Sequence, residues 1–552
     1  MKLISLSKTK IFSSEEKSSL RKDRLLLVLS GILTGISFTP FPFPLTLFLF
    51  VSFVPYLFVI EKRKSLLEVN RASYLFFFVL SLITIYWVGS WQSKADPFLM
   101  IGGGVLIFFY PAVLLINSSL FFLSQIIFGK EKSFWLFPIF WVTGEYVLTL
   151  TDLKFPWLTL GHGLAKFTTF IQIADIIGAF GLSVIVLYIN VLVFHSIKYF
   201  SVNRKAFYKY LAVALILFLI PYFYGLHRIN EQQHSDEKKI RVGVVQPNLD
   251  PWEKWELGGV EDILKNYIEL SENCTQQGAK LIIWPETALP VYLLSGSYSD
   301  VVDSIYSFLR KNKVYLLTGM PDYIIHYNNP PDDAKQSKAG NFYYSTYNSI
   351  LLFNPDSYEV QRYGKIHLVP LGEKVPFVDA FPFLADWFKW GVGLSGWNVG
   401  KDTTVFKIKI DNDTVKVAGL VCYESVFPDF VTNFIKKDAQ FITVVTNDSW
   451  YGNSSGPYQH KEFAALRAVE NRKAVVRSAN GGISCLINRY GITEYETSMF
   501  TRTSFVVDVP LNNEKTFYSE YPRIVPILSS VFSIWIIGIN ILIWIKRKFN
   551  TL

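Results

Sequence analysis

Val417-Ala-Gly-Leu-Val-Cys-Tyr-Glu-Ser425 opens with five residues that suit a buried strand and closes with four that do not. A short apolar run rich in Val predicts a strand over 416–422. A helix-forming run begins near Phe427. The reading is therefore strand, tight turn, helix, with a thiol at the turn. A side chain there is exposed, and the N–H groups at a helix start favour a thiolate. Working outward, 239–245, 280–284, 314–318, 349–353, 441–446 and 474–478 also read as strands, and 262–277, 301–312, 427–436 and 460–471 as helices. Strands alternating with amphipathic helices predict one layered α/β domain over 227–523. No internal repeat is evident, and the polar, Pro-containing stretch 327–340 reads as a mobile surface loop.

The remainder of the 552 residues is a different polymer. Half of the whole chain is hydrophobic, 16% is aromatic and only 18% is charged, which excludes disordered and fibrous classes. Three cysteines cannot form a disulfide framework. Apolar runs near 25–40, 44–60, 73–91, 99–128, 133–150, 168–197, 208–226 and 524–545 predict eight transmembrane helices. The expected order is a basic N-terminus (1–24), a membrane domain with seven helices (25–226), the α/β insert (227–523), an eighth helix (524–545) and a basic tail (546–552). The first two helices, joined by a Pro-rich turn, are the weakest. The basic stretch before the first helix raises a signal peptide, but no small-x-small cleavage pattern follows, so an uncleaved anchor is expected.

The net charge of +9 is not a nucleic-acid footprint. Basic residues cluster in 1–24, at Lys62, Arg63, Lys64 and Arg71, at Lys130 and Lys132, at Lys198, Arg204, Lys205 and Lys209, and at Lys546, Arg547 and Lys548. The insert 227–523 has 31 basic residues against 35 acidic ones. Eight crossings from a cytoplasmic N-terminus place every cluster in the cytoplasm, return the C-terminus there and leave the insert outside.

Two further segments of the insert carry reactive groups. In Leu281-Ile-Ile-Trp-Pro-Glu-Thr287, Pro285 ends a strand just before Glu286. In Arg362-Tyr-Gly-Lys-Ile-His-Leu-Val-Pro-Leu-Gly-Glu373, Lys365 and Glu373 each follow a Gly. A thiol of ordinary pKa is mostly protonated at neutral pH, so Cys422 needs a base and a cation. Glu286 suits the first role and Lys365 the second, giving a thioester that a second nucleophile resolves. Any one of these residues alone is more often structural or solvated; Cys274 and Cys485 have no such context and read as buried. His367 and His460 lack metal-ligand spacing, and no phosphate- or dinucleotide-binding fingerprint is present, so neither a metal nor a cofactor is expected. Glu145 and Asp175 fall near the outer ends of membrane helices, where a structural or a headgroup role is open. The stretches 375–378 and 381–388, rich in Phe and Pro, are candidates to shield the intermediate or to touch lipid.

WPET (284–287), GKIHLVPLGE (364–373) and VCYE (421–424) together resemble the carbon–nitrogen hydrolase (nitrilase) superfamily with its Glu–Lys–Cys triad. Thr446-Asn-Asp-Ser-Trp-Tyr-Gly452, Gly456-Pro-Tyr-Gln-His460, Arg467-Ala-Val-Glu-Asn-Arg-Lys473 and Arg477-Ser-Ala-Asn-Gly-Gly482 extend the likeness. With eight helices around such a domain, and Phe155-Pro-Trp-Leu158 and Gly161 in the membrane part, the chain resembles the apolipoprotein N-acyltransferase family over nearly its whole length. The resemblance implies an αββα sandwich and ping-pong acyl transfer from a phospholipid, phosphatidylethanolamine being the expected donor, to the N-terminal amine of a diacylated apolipoprotein. It implies Glu286 as base, Lys365 as oxyanion stabiliser and Cys422 as nucleophile, with Glu373, Tyr423, Glu424 and Trp255 in support; Trp252 competes with Trp255. It implies an enzyme of the bacterial inner membrane, its reaction domain in the periplasm and both termini in the cytoplasm; a monomer is only the default expectation. His162 stands where the family usually has Tyr, and Val147-Leu-Thr-Leu150 lacks a basic residue often seen there. The rival expectations are a membrane-bound amidase that releases its acyl group to water, and a non-catalytic scaffold.

Overall fold

The computed structural model describes residues 14–231, 238–253, 259–338, 340–378, 380–381, 383 and 396–549. It divides into two units: 1–89, 101–230 and 523–552 form one, and 90–100 with 231–522 form the other.

The first unit is helical. Among the described residues, seven helical segments are long and apolar enough to cross a membrane: Phe43–Glu61, Leu66–Thr84, Leu99–Phe128, Lys130–Leu150, Ala174–Tyr199, Arg204–Asn230 and Ile524–Phe549. Seven of the eight expected spans qualify by this measure. The helix that falls out is the first, Ser14–Gly35. It bears Glu15, Glu16, Lys17, Arg21, Lys22, Asp23 and Arg24 in its first half. Its apolar half, 25–35, rises only about 16 Å, against roughly 30 Å of hydrocarbon. Its packing rests on small residues: a Cβ at Gly31 would lie 2.7 Å from Val79 Cβ, and one at Gly35 2.9 Å from Ile83 Cβ. Asp23 pairs with Lys62 at 2.8 Å and Arg63 at 2.6 Å.

Polar groups in this unit satisfy broken backbone. Phe43–Glu61 is interrupted between a 3-10 turn, Leu47–Phe50, and the helix Val54–Glu61. Asn190 bridges the break, donating to the Leu49 carbonyl and accepting from Phe53 N–H, both at 2.9 Å. Irregular backbone at such depth requires partners of this kind. Glu145 accepts from Trp141 Nε1 at 2.7 Å and from Leu160 N–H at 2.8 Å, so it supports the 3-10 segment Leu160–Leu164 that carries the buried His162. Asp175 accepts from Tyr224 and pairs with Arg228.

The second unit is a two-sheet sandwich. Its strands are β1 (Lys239–Gln246), β2 (Leu281–Trp284), β3 (Tyr315–His326), β4 (Lys335–Gln336), β5 (Tyr343–Asn354), β6 (Ser357–Gly364), β7 (Val405–Ile410), β8 (Asp413–Val421), β9 (Phe441–Thr446), β10 (Val475–Ala479), β11 (Cys485–Ile487), β12 (Thr493–Glu496) and β13 (Thr503–Pro510). One sheet runs β13-β1-β2-β3-β5-β4, with β6 also paired to β5; the other runs β12-β11-β10-β9-β8-β7. The inner strands β1-β2-β3 and β8-β9-β10 are parallel, and their outer neighbours antiparallel. Parallel strands are buried on both faces, which is why β2 and β9 are continuous apolar runs with every residue buried. The sheets face one another: Ser478 Oγ of β10 lies 3.0 Å from the Val245 carbonyl and 3.3 Å from that of Ile283. Helices Val260–Gln276 and Ser299–Asn312 cover the first sheet through a core that includes Tyr267, Trp284, Ile305 and Phe353. Helices Pro428–Lys436 and Ser455–Asn471 cover the second. The layers are αββα.

Segment 90–100, which links two membrane helices in sequence, is folded into this second unit. Ser90 and Gln92 donate to the Trp450 carbonyl, and Lys94 pairs with Asp250 and Glu253.

Candidate active site

Three strand ends converge. Pro285 follows the last residue of β2, and the chain turns so that Glu286 is buried. Gly319 of β3 makes room, since a Cβ there would meet Glu286 Cα at 2.5 Å. Lys365 directly follows β6, its N–H bonded to the Asn348 carbonyl at 2.9 Å. Cys422 directly follows β8 and opens the 3-10 turn Cys422–Val426. Its φ is +49°, the left-handed region that costs an ordinary residue about 1–2 kcal/mol and marks functional turns.

The side chains form one network. Lys365 Nζ lies 2.8 Å from Glu373 Oε2, 2.9 Å from Glu373 Oε1 and 3.6 Å from Glu286 Oε1. Asn348 Nδ2 donates to both carboxylates, at 2.8 Å to Glu286 and 2.9 Å to Glu373. Asn447 N–H donates to the other Glu286 oxygen at 3.1 Å. The Cys422 thiol feels the charges of both Glu286 and Lys365. Glu373 is fixed in turn by Val369 N–H at 2.8 Å.

Charges follow from this geometry. Burial pushes the Cys422 thiol up, and the Glu286 charge adds to it, against Lys365. Burial and Glu373 also raise Glu286, against Lys365. Burial alone would lower Lys365, but Glu373, Glu286 and Cys422 outweigh it and hold it as a firm cation. The resting site therefore presents a protonated thiol to a carboxylate of enhanced basicity, beside a fixed ammonium. Such an arrangement makes a thiolate only as the sulfur attacks.

Of the supporting residues expected from sequence, Glu373 sits on Lys365 as described. Glu424 is fully buried and acts as a bracket: it accepts from Tyr363 OH (2.6 Å), Ile366 N–H (2.7 Å) and His367 N–H (3.2 Å) on the lysine side, and from Val421 N–H (2.9 Å) on the cysteine side. Tyr423 is buried, with its ring edge-on to Phe427. His367 stacks on Phe427 at 4.2 Å, a packing role. Trp255 lies outside the described residues. Trp252 is described, perpendicular to Trp450 at 4.7 Å.

Sequence reasoning missed several groups. Asn348 belongs to no motif; only its place on β5, pointing between two carboxylates, reveals it. Asp448, His460 and Arg477 lay within quoted motifs without a role. His460 Nε2 is 3.0 Å from the Cys422 carbonyl and 2.9 Å from Ser425 Oγ, while its Nδ1 is 2.8 Å from Asp448 Oδ1. Arg477, fully buried, pairs with Asp448 Oδ2. Cys422, Asp448 and His460 offer donor atoms within 4.8 Å of one another, a spacing open to a metal ion. The donor set does not suit one, because the Arg477 guanidinium already neutralises Asp448 and would repel a cation.

A family profile described as carbon-nitrogen hydrolase matches residues 241–517, and one described as apolipoprotein N-acyltransferase N-terminal domain matches 30–192. An apolipoprotein N-acyltransferase of Chlorobaculum tepidum is 32% identical over 92% of this chain and 94% of its own. One of Geobacter metallireducens is 29% identical over 91% and 92%. Among solved structures, a mutant amidase of the nitrilase superfamily from Nesterenkonia AN1 is 18% identical, covers 50% of this chain and 92% of its own, and has a TM-score of 0.34. A helical unit with seven candidate membrane spans, a two-sheet sandwich bearing Glu, Lys and Cys at its strand ends, and relatives matched almost end to end leave one conclusion: this multi-pass membrane protein belongs to the apolipoprotein N-acyltransferase family of the carbon–nitrogen hydrolase (nitrilase) superfamily.

Proposed function

We propose that Cys422 carries the acyl chain in this cysteine-dependent acyltransferase, with Glu286 as its base and Lys365 as the charge that stabilises the oxyanion. The carrying observation is the convergence of these three groups at strand ends, Lys365 held between two carboxylates and the thiol under the charges of Glu286 and Lys365. In the first half-reaction Glu286 takes the thiol proton as sulfur attacks the ester carbonyl of a phospholipid. The oxygen gains the negative charge beside Lys365. Collapse breaks the C–O bond, Glu286 returns its proton to the departing lysophospholipid hydroxyl, and a thioester remains. In the second, the α-amine of a diacylated lipoprotein attacks the thioester. Glu286 takes the amine proton and passes it to the released sulfur, leaving an amide. Glu373 and Glu424 fix the lysine and cysteine loops rather than react.

Phosphatidylethanolamine is the proposed donor, and the proposed acceptor carries a diacylglyceryl-cysteine. The exposed rings of Phe377, Phe381 and Phe383 are candidates to meet acyl chains; residues 384–388 of the same stretch lie outside the described residues. Incubation with phosphatidylethanolamine vesicles and a diacylated lipopeptide tests the reaction. Triacylated peptide with lysophospholipid is expected; free fatty acid in its place would favour the amidase reading, and no turnover the scaffold. Cys422→Ala must abolish both products.

The proposed setting is the inner membrane, with the sandwich in the periplasm and both termini in the cytoplasm. Parity then requires the first helix to complete a crossing with the apolar turn after it, through Phe41. The basic clusters flanking the helices support this reading. In the Cys422→Ser background, Ser19→Cys should resist a membrane-impermeant maleimide applied from outside; ready labelling would overturn the orientation.

A further inference from the structure

The Asp448–His460–Arg477 group lies beneath the nucleophile, and no step above uses it. A carbonyl oxygen only accepts, so His460 must carry its proton on Nε2 to bond the Cys422 carbonyl at 3.0 Å. The same nitrogen is 2.9 Å from Ser425 Oγ, and that hydroxyl donates to the Cys422 carbonyl at 2.9 Å. One carbonyl is thus held by two donors. Behind the ring, Nδ1 accepts from Arg477 Nη2 at 3.1 Å and lies 2.8 Å from Asp448 Oδ1, and Asp448 is itself fixed by Thr446 Oγ1 at 2.9 Å and by Arg477. Arg477 is tied to the Ile483 carbonyl at 3.1 Å. All of these side chains are buried or nearly so. Placing an aspartate and an arginine in a core stabilises it no better than well-packed apolar residues would. What such a pair gives His460 is a single orientation.

The held carbonyl belongs to the peptide between Cys422 and Tyr423. That bond is trans, so its N–H points opposite to its C=O. Clamping the oxygen from one side aims the Tyr423 N–H to the other. Because Cys422 sits in the left-handed region, the peptide plane would relax toward an unstrained φ without the clamp.

We propose that His460 is a positioning residue for acyl transfer: by holding the Cys422 carbonyl it aims the Tyr423 N–H at the oxygen that becomes negative when the sulfur attacks. The inference rests on Cys422 being the nucleophile. His460 does not act as the base for the thiol, since its Nε2 proton is committed to the carbonyl.

Two rates measured on the full-length protein in detergent or vesicles test it. One is single-turnover formation of the Cys422 thioester from phospholipid. The other is alkylation of Cys422 by iodoacetamide, a displacement at saturated carbon that develops no oxyanion. His460→Ala should slow thioester formation roughly a hundredfold, the range for loss of an oxyanion donor, and leave alkylation within about threefold, well below the effect of a lost donor. His460→Gln, which keeps an N–H in reach of the carbonyl, should recover about tenfold or more over Ala, as one restored hydrogen bond allows. Ser425→Ala should give the same one-sided pattern more weakly, and carries the test alone if His460→Ala does not fold. Unchanged thioester formation, a parallel fall in both rates, or Gln no better than Ala would each overturn the proposal. If Cys422→Ala still yields product, the nucleophile assignment itself fails; if that variant is dead while His460→Ala is fully active, only the positioning role fails.

Discussion

Asn348 gives a sharp test of the electrostatic reading, because the substitution that keeps its shape should fail worse than the one that deletes it. Its Nδ2 donates to Glu286 at 2.8 Å and to Glu373 at 2.9 Å. Asn348→Ala removes a donor from Glu286. Hydrogen bonds to charged groups contribute about 1.5–3 kcal/mol, so kcat/KM should fall roughly tenfold to a hundredfold. The bond lowers the pKa of Glu286, so its loss raises that pKa further. The base works only when ionised. Activity is lost as pH falls through its pKa, and the acid limb of the pH–rate profile should move to higher pH. Asn348→Asp keeps the shape and places a third carboxylate where the donor was. Two unit charges about 2.8 Å apart repel by about 6 kcal/mol at an effective dielectric of about 20. Lys365 cannot neutralise three carboxylates, so the three share a proton, and the added negative charge raises the pKa of Glu286 whichever oxygen holds that proton. The isosteric Asp variant should therefore be the worse of the two, its acid limb displaced further. The assay is kcat/KM for lipopeptide acylation from pH 5 to 9. An Asp variant as active as wild type, or better than Ala, would refute the account of Glu286 as a buried base tuned by its neighbours.

Lys365→Met should inactivate and also destabilise by about 3–5 kcal/mol, since it leaves Glu286 and Glu373 buried without their cation; thermal unfolding in detergent should show partial recovery on adding Glu373→Gln. Glu424→Gln should lower both melting temperature and kcat, because the new amide would present a donor to a backbone N–H that now has an acceptor; unchanged values would remove its bracketing role. Trp284→Ala, which empties a fully buried site and strips Ser271 of its 2.9 Å partner, should cost about 3–5 kcal/mol, read from the same unfolding curves. In folded protein at pH 8, iodoacetamide should label Cys422 alone, since Cys422 is partly exposed while Cys274 and Cys485 are buried; mass spectrometry should find all three modified after unfolding.

The legible part of the fold was its interior. β2, β9 and β10 are short apolar runs because parallel strands are covered on both sides. Strands with one wet face, such as β6, β7 and β12, carry too many polar residues to stand out, and β13 reaches its place beside β1 from far along the chain. The start of the chain misled for a related reason. The apolar stretch after residue 24 looks like half of a hairpin in sequence, yet the helix that contains it begins among charges. The reactive residues were legible because each ends a strand in a distinctive local string. Asn348 was not, because its role comes from the register of β5 against β3 and β6 rather than from its neighbours in sequence. His460 was visible as a residue but not as a contact, since it meets Cys422 across 38 positions.

Segment 90–100 has a consequence for anyone who would cut or exchange the two units. The polypeptide passes from helical unit to sandwich and back twice, at 89/90, 100/101, 230/231 and 522/523. A soluble fragment spanning 231–522 would be amputated of a strip of its own fabric: the Trp450 carbonyl would lose Ser90 and Gln92, and Asp250 and Glu253 would lose Lys94. A chimera that trades sandwiches between homologues inherits the same debt, and its seams belong on either side of this graft as well as at the two obvious junctions.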